Sequence, residues 1–328
     1  QILDIGSNDG TFLNFFKRQK INLFGIDPSA EKYKSYYNKG INLIVDYFSK
    51  SKVDNFFKLK KIINKKFNLI TAFAMFYDIE DPNNFCRDIN KLLHKDGLWI
   101  TEFSYFPLLL KNLTYDQICH EHVTYYTLTT FQKIINKNGL KLVDVSFNEI
   151  NGGSVEVVCA KKNSKIKPNF NKINNLLNDE KLITDVSYER FNKRIANVKD
   201  TLNLFLSNIS SKNIIGYGAS TKGNIVLNHC NIDSKNIRYI CDANPYKFDK
   251  YTPGSNIKII SKKEMRKIHP DYLLVLIWSF RPEVIKQELS FIKKGGKLIF
   301  HLPIFHVVDK NNYKSYLKDN LKTFSYNY

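Results

Sequence analysis

The sequence has no CxxC pair, and its five cysteines (Cys86, Cys119, Cys159, Cys230, Cys241) are widely spaced and odd in number. That excludes a zinc knuckle built from this chain alone, and reduced thiols in a cytoplasmic setting fit best. Runs of eighteen apolar residues are also missing. A stretch such as Tyr272–Trp278 reads as a buried strand, and neither a membrane span nor a secretory signal is expected. Arginine is scarce: seven of the 50 basic residues, in a chain of net charge +19. The lysines are scattered, with short clusters at Lys58–Lys61, Lys65–Lys66 and Lys161–Lys167 where solvated helices or linkers are expected. No aromatic-plus-arginine stripe accompanies them, so a nucleic-acid partner is not expected and an anionic small substrate is.

What is present suits two domains of ordinary size: 328 residues, 43% apolar and 14% aromatic. Gln1 falls inside a strand pattern, so further sequence is expected before it. The expected class is α/β, with a Rossmann-like domain over 1–162, a helical connector over 163–211 and a second Rossmann-like α/β domain over 212–328.

The first domain opens with strand Gln1–Ile5, the loop Gly6-Ser7-Asn8-Asp9-Gly10 and a helical pattern at Phe12, Leu13, Phe15 and Phe16. Glycines here let backbone amides approach a ligand. A second strand, Leu23–Ile26, ends in Asp27-Pro28, where a carboxylate is placed for the two ribose hydroxyls of an adenosine. The spacing is D-x-G-x-x-x-G rather than the G-x-G-x-x-G of a dinucleotide site, which favours S-adenosylmethionine (AdoMet), with Asp4 near the methionine amino group. A third strand, Ile41–Val45, leads to Asp46-Tyr47-Phe48, where Asp46 can meet the adenine amino group. Asn68–Phe73 leads to Ala74–Asp78 and shows no N/D-P-P-Y/F box, which argues against methylation of adenine or cytosine. A helix is expected over 83–94, ended by Gly97, then a strand Leu98–Phe103.

Residues 115–128, YDQICHEHVTYYTL, set His120, Glu121 and His122 among tyrosines and threonines. Two imidazoles beside a carboxylate suit proton transfer near neutral pH. On spacing alone, a polar surface turn or half of a metal site remain open. Leu140–Asn148 and Ser154–Ala160 form a strand pair around Asn151-Gly152-Gly153. In the second half, Asn213–Ile215 leads into Gly216-Tyr217-Gly218-Ala219-Ser220-Thr221-Lys222, and Tyr239–Cys241 into Asp242-Ala243-Asn244-Pro245. That loop alone admits a nicotinamide oxidoreductase, but G-x-G-x-x-G is unfulfilled and Lys222 at a helix N-terminus favours phosphate binding.

These strings resemble the AdoMet-dependent sugar C-methyltransferases, which act on nucleotide-linked 4-keto-6-deoxy sugars. The likeness runs through DIGSNDGTFL (4–13), FYDIEDP (76–82), Glu102–Tyr105, YDQICHEH (115–122), NGGS (151–154), YGASTKGN (217–224), DANPYK (242–247) and YTPG (251–254), essentially the whole chain. It implies AdoMet as cofactor, held by Asp4, Gly6, Ser7, Asn8, Gly10, Asp27, Pro28, Asp46 and Phe48. His122 is the expected base, with Glu121 orienting or sharing the proton and Tyr105, Tyr125 or Tyr77 donating to the oxyanion. Asp78 is a secondary candidate, standing where some members carry histidine; many members have tyrosine at Cys119. Tyr77, Glu102, His120, Tyr125, Gly153, Ser154, Lys222, Asn244, Lys247 and Arg281 are expected to meet the nucleotide sugar. Zinc belongs to an N-terminal domain of the family that this sequence does not include, and no metal ligand is expected here. A basic RNA-binding protein on the same fold is the alternative from another class.

Overall fold

The computed structural model describes residues 1–16 and 21–318. Its residues group into two compact units that are interleaved along the chain. The first comprises 1–106, 123–148 and 153–182; the second comprises 107–122, 149–152 and 183–328.

The first unit carries a seven-stranded sheet in the order β3-β2-β1-β4-β5-β7-β6. Its strands are β1 (Ile2–Ile5), β2 (Leu23–Ile26), β3 (Asn42–Ile44), β4 (Phe67–Phe73), β5 (Leu93–Ser104), β6 (Leu140–Asn148) and β7 (Ser154–Lys161). Strands β1 to β5 run parallel, whereas β7 is antiparallel to both β5 and β6, the terminal pair the sequence suggested. Strand β1 is buried along its length, as a central parallel strand covered on both faces must be. The chain leaves β1 toward β2 on one side and reaches β4 on the other. The connections therefore diverge, and a crevice forms at the carboxyl ends of β1 and β4.

Helices α1 (Thr11–Asn14), α2 (Lys50–Leu59), α3 (Pro82–Leu92), α5 (Leu128–Lys137) and α6 (Phe170–Glu180) complete this unit, while α4 (Phe106–Asn112) leads into the second. The side chain of Asp81 caps α3 by accepting the Asn84 N–H at 3.0 Å, with Pro82 in the first turn. The helix expected over 83–94 stops at Leu92, because Leu93 is extended and pairs with Phe67. Gly97 thus lies within the irregular start of β5 and does not end the helix. An aromatic core fills the space below: Phe76 packs on Tyr126 at 5.1 Å between ring centres and Phe103 on Phe131 at 4.9 Å, with Trp99 fully buried beside them.

The second unit repeats the plan: a six-stranded sheet in the order β10-β9-β8-β11-β12-β13, parallel apart from β13. Its strands are β8 (Ile214–Tyr217), β9 (Tyr239–Asp242), β10 (Lys258–Ser261), β11 (Tyr272–Val275), β12 (Lys297–Phe300) and β13 (His306–Val308). The long α7 (Asp185–Asn208) precedes them, and α8 (Thr221–His229) follows the glycine loop. No helix among the described residues is long and apolar enough to cross a membrane.

Candidate active site

At the tip of β1 the glycine loop turns through left-handed backbone at Gly6, Asn8 and Gly10 (φ 72, 47 and 75). Asp27 at the end of β2 binds that loop. Its Oδ2 accepts the Asn8 N–H at 2.9 Å, and its Oδ1 accepts both the N–H and the hydroxyl of Ser29, each at 2.6 Å. A carboxylate has about four acceptor positions, so acceptor capacity remains for a ligand's hydroxyls. Tyr37, a residue with no signal in the sequence, covers the loop. Its hydroxyl donates to the Asn8 carbonyl at 2.8 Å, and since a phenol has one proton, Ser7 donates to it at 2.8 Å. A Cβ on Gly10 would lie 2.7 Å from the Tyr37 ring, so only glycine fits there.

Asp4 is 4% exposed and accepts the Thr71 hydroxyl at 2.6 Å. Burial raises its carboxyl to about 7, against the lowering effect of Thr71, and the negative charge of Asp27 adds to the rise. A buried carboxylate held this high fits a cationic ligand, and AdoMet carries both an ammonium and a sulfonium. Asp46 is paired with Lys52 at 2.6 Å, which holds its carboxyl below the usual range, and Phe48 packs edge-on against Phe85. Pro28 is exposed.

The HEH segment belongs to the second unit. His120 is 88% exposed along its side chain and lies 3.4 Å from Glu121. His122 is half-buried, and its imidazole is hydrogen-bonded to the Gln117 backbone carbonyl. One ring nitrogen is thereby committed as donor, and in the neutral ring the other carries the lone pair. Burial and then the charge of Lys222 hold this histidine below its ordinary value, while Glu121 opposes them. Tyr115–Gln117, the turn just before, is buried and packs on α8. Gln117 donates from Nε2 to the Asn151 carbonyl at 2.6 Å, and the Lys222 ammonium donates to Asn151 Oδ1 at 2.8 Å. Trp278 donates to the buried Asp116 at 2.7 Å. Gly152 passes so close that a Cβ there would meet Thr114 at 2.6 Å and Trp278 at 2.7 Å. A cavity of about 230 Å³ opens beside Asn151, lined also by Ile150, Ser279, Phe280 and Arg281.

Residues 1–145 match the family described as methyltransferase domain, and residues 149–303 match the family described as C-methyltransferase C-terminal domain. Over 309 residues the chain is 28% identical to C-methyltransferase NovU of Streptomyces niveus, covering 92% of this chain and 72% of that protein. The chain belongs to the AdoMet-dependent C-methyltransferases. Solved structures with lower likeness include the putative methyltransferase in complex with the Trm112 activator of Haloferax volcanii, 13% identical, covering 49% of this chain and 81% of that one at a TM-score of 0.39. A putative S-adenosylmethionine dependent methyltransferase from Listeria monocytogenes is 13% identical, covering 49% and 90%, at a TM-score of 0.37.

In this C-methyltransferase the remaining expected site residues take varied positions. Tyr105 is 3% exposed and donates its hydroxyl to Glu180 at 2.6 Å; Glu180 also accepts the N–H groups of Leu128 and Thr129 and the Thr129 hydroxyl. That one proton is engaged in holding the start of α5, not presented to a ligand. Tyr77 is 7% exposed, and its carbonyl receives the Thr124 N–H at 3.1 Å; Asp78 is exposed and Tyr125 half-buried. Glu102 is buried next to Ser154 and Asn148, burial raises its carboxyl, and it faces Glu156 across the β5–β7 ladder. Gly153 is buried, and its carbonyl accepts the Tyr105 N–H at 3.4 Å.

Asn244 accepts the Tyr246 N–H at 3.0 Å. Lys247 donates to the Ala219 carbonyl at 2.8 Å and lies 3.4 Å from Asp242. Asp242 itself accepts the Ala219 and Asn244 N–H groups, both at 2.8 Å. The β9 tip is thus bonded into its own glycine loop. Arg281 is 2% exposed and sits over the Tyr316 ring at 5.2 Å. Among the described residues no group of three or more His, Cys, Asp and Glu side chains is placed to hold a metal ion.

Proposed function

We propose that the protein transfers a methyl group from AdoMet to the carbon next to the keto group of a nucleotide-linked deoxy-keto sugar. The observation that carries this reading is His122, half-buried, hydrogen-bonded to the Gln117 carbonyl and held below its ordinary value. A base must be neutral to accept a proton, and an imidazole with one nitrogen engaged presents a single, oriented lone pair.

Asp4, Asp27 and the Gly6–Gly10 loop are the residues that would hold AdoMet. When bound, it supplies an electrophilic methyl group carried on a cationic sulfur. The chain's own residues do the rest. His122 removes the proton from the carbon that the neighbouring carbonyl has acidified, and the electron pair moves onto the carbonyl oxygen as an enolate. Tyr77 or Tyr125 is the proposed donor to that oxyanion, since the Tyr105 hydroxyl is already engaged with Glu180. The enolate carbon would then form the new C–C bond to that methyl group as the methyl–sulfur bond breaks, the sulfur leaving with the electron pair as a neutral thioether, and the carbonyl returns. His122 passes its proton to solvent, with Glu121 beside it to steady the imidazolium while it is charged. General-base assistance of this kind is typically worth about 100- to 10,000-fold.

The substrate reading rests on the sequence resemblance and on the basic balance of the chain, which suits a diphosphate-bearing substrate. The test is transfer of a labelled methyl group from AdoMet to nucleotide-linked 4-keto-6-deoxy sugars. Incorporation that survives mild acid cleavage of the nucleotide places the label on the sugar. No incorporation into any such sugar sinks the proposal.

A further inference from the structure

We infer that Lys222 is a positioning residue for His122: anchored on Asn151, it sets a fixed positive charge in the same part-buried network that orients the imidazole, rather than serving as an anion ligand. The inference deepens the base assignment made above and rests on it for its catalytic meaning. Its physical content, however, concerns only how His122 is held.

The side chains form a continuous path. The Lys222 ammonium donates to Asn151 Oδ1 at 2.8 Å; the Asn151 carbonyl accepts Gln117 Nε2 at 2.6 Å; the Gln117 carbonyl in turn receives the imidazole of His122. Gln117 is 1% exposed and also donates to the Thr114 hydroxyl at 3.0 Å, which fixes its amide orientation. Three segments far apart in sequence therefore meet: the turn before HEH, the Asn151-Gly152 loop and the first turn of α8. Asn151 is in left-handed backbone (φ 59), a conformation asparagine tolerates better than most residues, and it offers both its carbonyl and its side-chain oxygen to the network.

The Lys222 ammonium is already engaged by Asn151 Oδ1, in a part-buried contact. Here burial is the largest influence on Lys222 and lowers its ordinary value, offset first by the Asp116 carboxylate it faces. Asp116 is fully buried and aims Oδ2 at the indole of Trp278, and it is the counter-charge that lets an ammonium remain protonated there. The groups acting on His122 are Lys222 from α8 and Glu121 from its own loop, of opposite sign. His120 is turned outward against Glu121. The balance between an internal lysine and a more exposed glutamate favours the neutral ring.

The test is the titration midpoint of the His122 ring in the full chain carrying isotopically labelled histidine, read by NMR and assigned by the peak lost in His122→Gln. In Lys222→Met the midpoint is expected to move up by about half a pH unit or more, as removal of a nearby buried charge requires. In Lys222→Arg, which keeps the charge, it is expected to stay close to that of the parent protein. Asn151→Ala, which releases the ammonium without deleting it, provides a second reading if Lys222→Met does not fold, and it should shift the midpoint in the same direction. An unchanged midpoint in a folded Lys222→Met or Asn151→Ala protein overturns the inference. So does pyrophosphate binding by the parent protein that Lys222→Met abolishes, because that outcome assigns the ammonium to an anion. None of these readings needs turnover. A His122→Gln protein that keeps full methyl transfer would remove the base assignment while leaving this result standing.

Discussion

Trp278 donates its indole N–H to Asp116 at 2.7 Å, joining residues 162 apart in sequence. Burial lifts this carboxyl to about 6, while Lys222 and the indole hold it down. In Trp278→Phe the carboxylate loses a donor, so its folded-state value rises further. Above that value the variant carries a buried charge with one partner fewer, whereas at pH 5 the group is largely protonated in both proteins. The expected loss is about 1–3 kcal/mol, larger at pH 8 than at pH 5, measured as the change in Tm at each pH. An equal loss at both would show that only ring packing is involved.

Tyr105→Phe separates a structural hydroxyl from a catalytic one. Its partner Glu180 keeps the Leu128 and Thr129 N–H groups and the Thr129 hydroxyl, so the fold should survive with a loss of about 1–3 kcal/mol. Thermal unfolding is expected to move and kcat is not. A kcat reduced a hundredfold or more at unchanged stability would make Tyr105 an oxyanion donor after all.

Asp4→Asn is expected to help the fold and harm the ligand site. A carboxyl with a folded value of about 7 against 3.8 in the reference state takes up a proton on folding between those limits. Stability therefore falls as pH rises from about 4 to 7 and remains lower above. Replacing the acid by the amide removes that loss, up to about 4 kcal/mol at pH 8 and less once the pocket relaxes. Differential scanning calorimetry at pH 5 and pH 8 checks this: Tm should rise at both, and at pH 5 by less than half as much as at pH 8. AdoMet binding by calorimetry should meanwhile weaken at least tenfold and lose its dependence on pH near 7.

Gly10→Ala introduces a methyl group 2.7 Å from the Tyr37 ring at a backbone φ of 75. The ring must move, which breaks the hydroxyl contacts to Asn8 and Ser7. S-adenosylhomocysteine binding is expected to fall by at least tenfold, with Tm lowered by a few degrees.

The local strings were legible in the sequence because their geometry is local. A strand followed by a glycine loop reads as a ligand-facing turn twice, at Gly6–Gly10 and Gly216–Lys222, and Asp27 at the next strand tip follows from sheet order. His122 stands out in the sequence, beside Glu121, as a candidate for proton transfer. Its supports do not: Gln117, Asn151, Asp116 and Trp278 meet only through tertiary packing, and no periodicity signals a contact across 162 residues. For the same reason residues 107–122 and 149–152, which lie inside the first domain in sequence, group with the second unit in space. Lys222 reads as a phosphate ligand because a helix N-terminus adds backbone amides to its charge, and the sequence does not show that α8 packs on the Tyr115–Gln117 turn. Tyr37 had no signal, as it lies just past a 3₁₀ segment, Ala30–Tyr36, with no motif.

The central claim is that His122 removes a proton from carbon. Solvent deuterium exchange tests it most directly: the protein, a nucleotide-linked 4-keto-6-deoxy sugar and S-adenosylhomocysteine in D₂O, followed by NMR or mass spectrometry of the sugar. The account predicts enzyme-dependent loss of hydrogen at the carbon beside the ketone, slowed about 100-fold or more in His122→Gln. Exchange at the parental rate in that variant would contradict it.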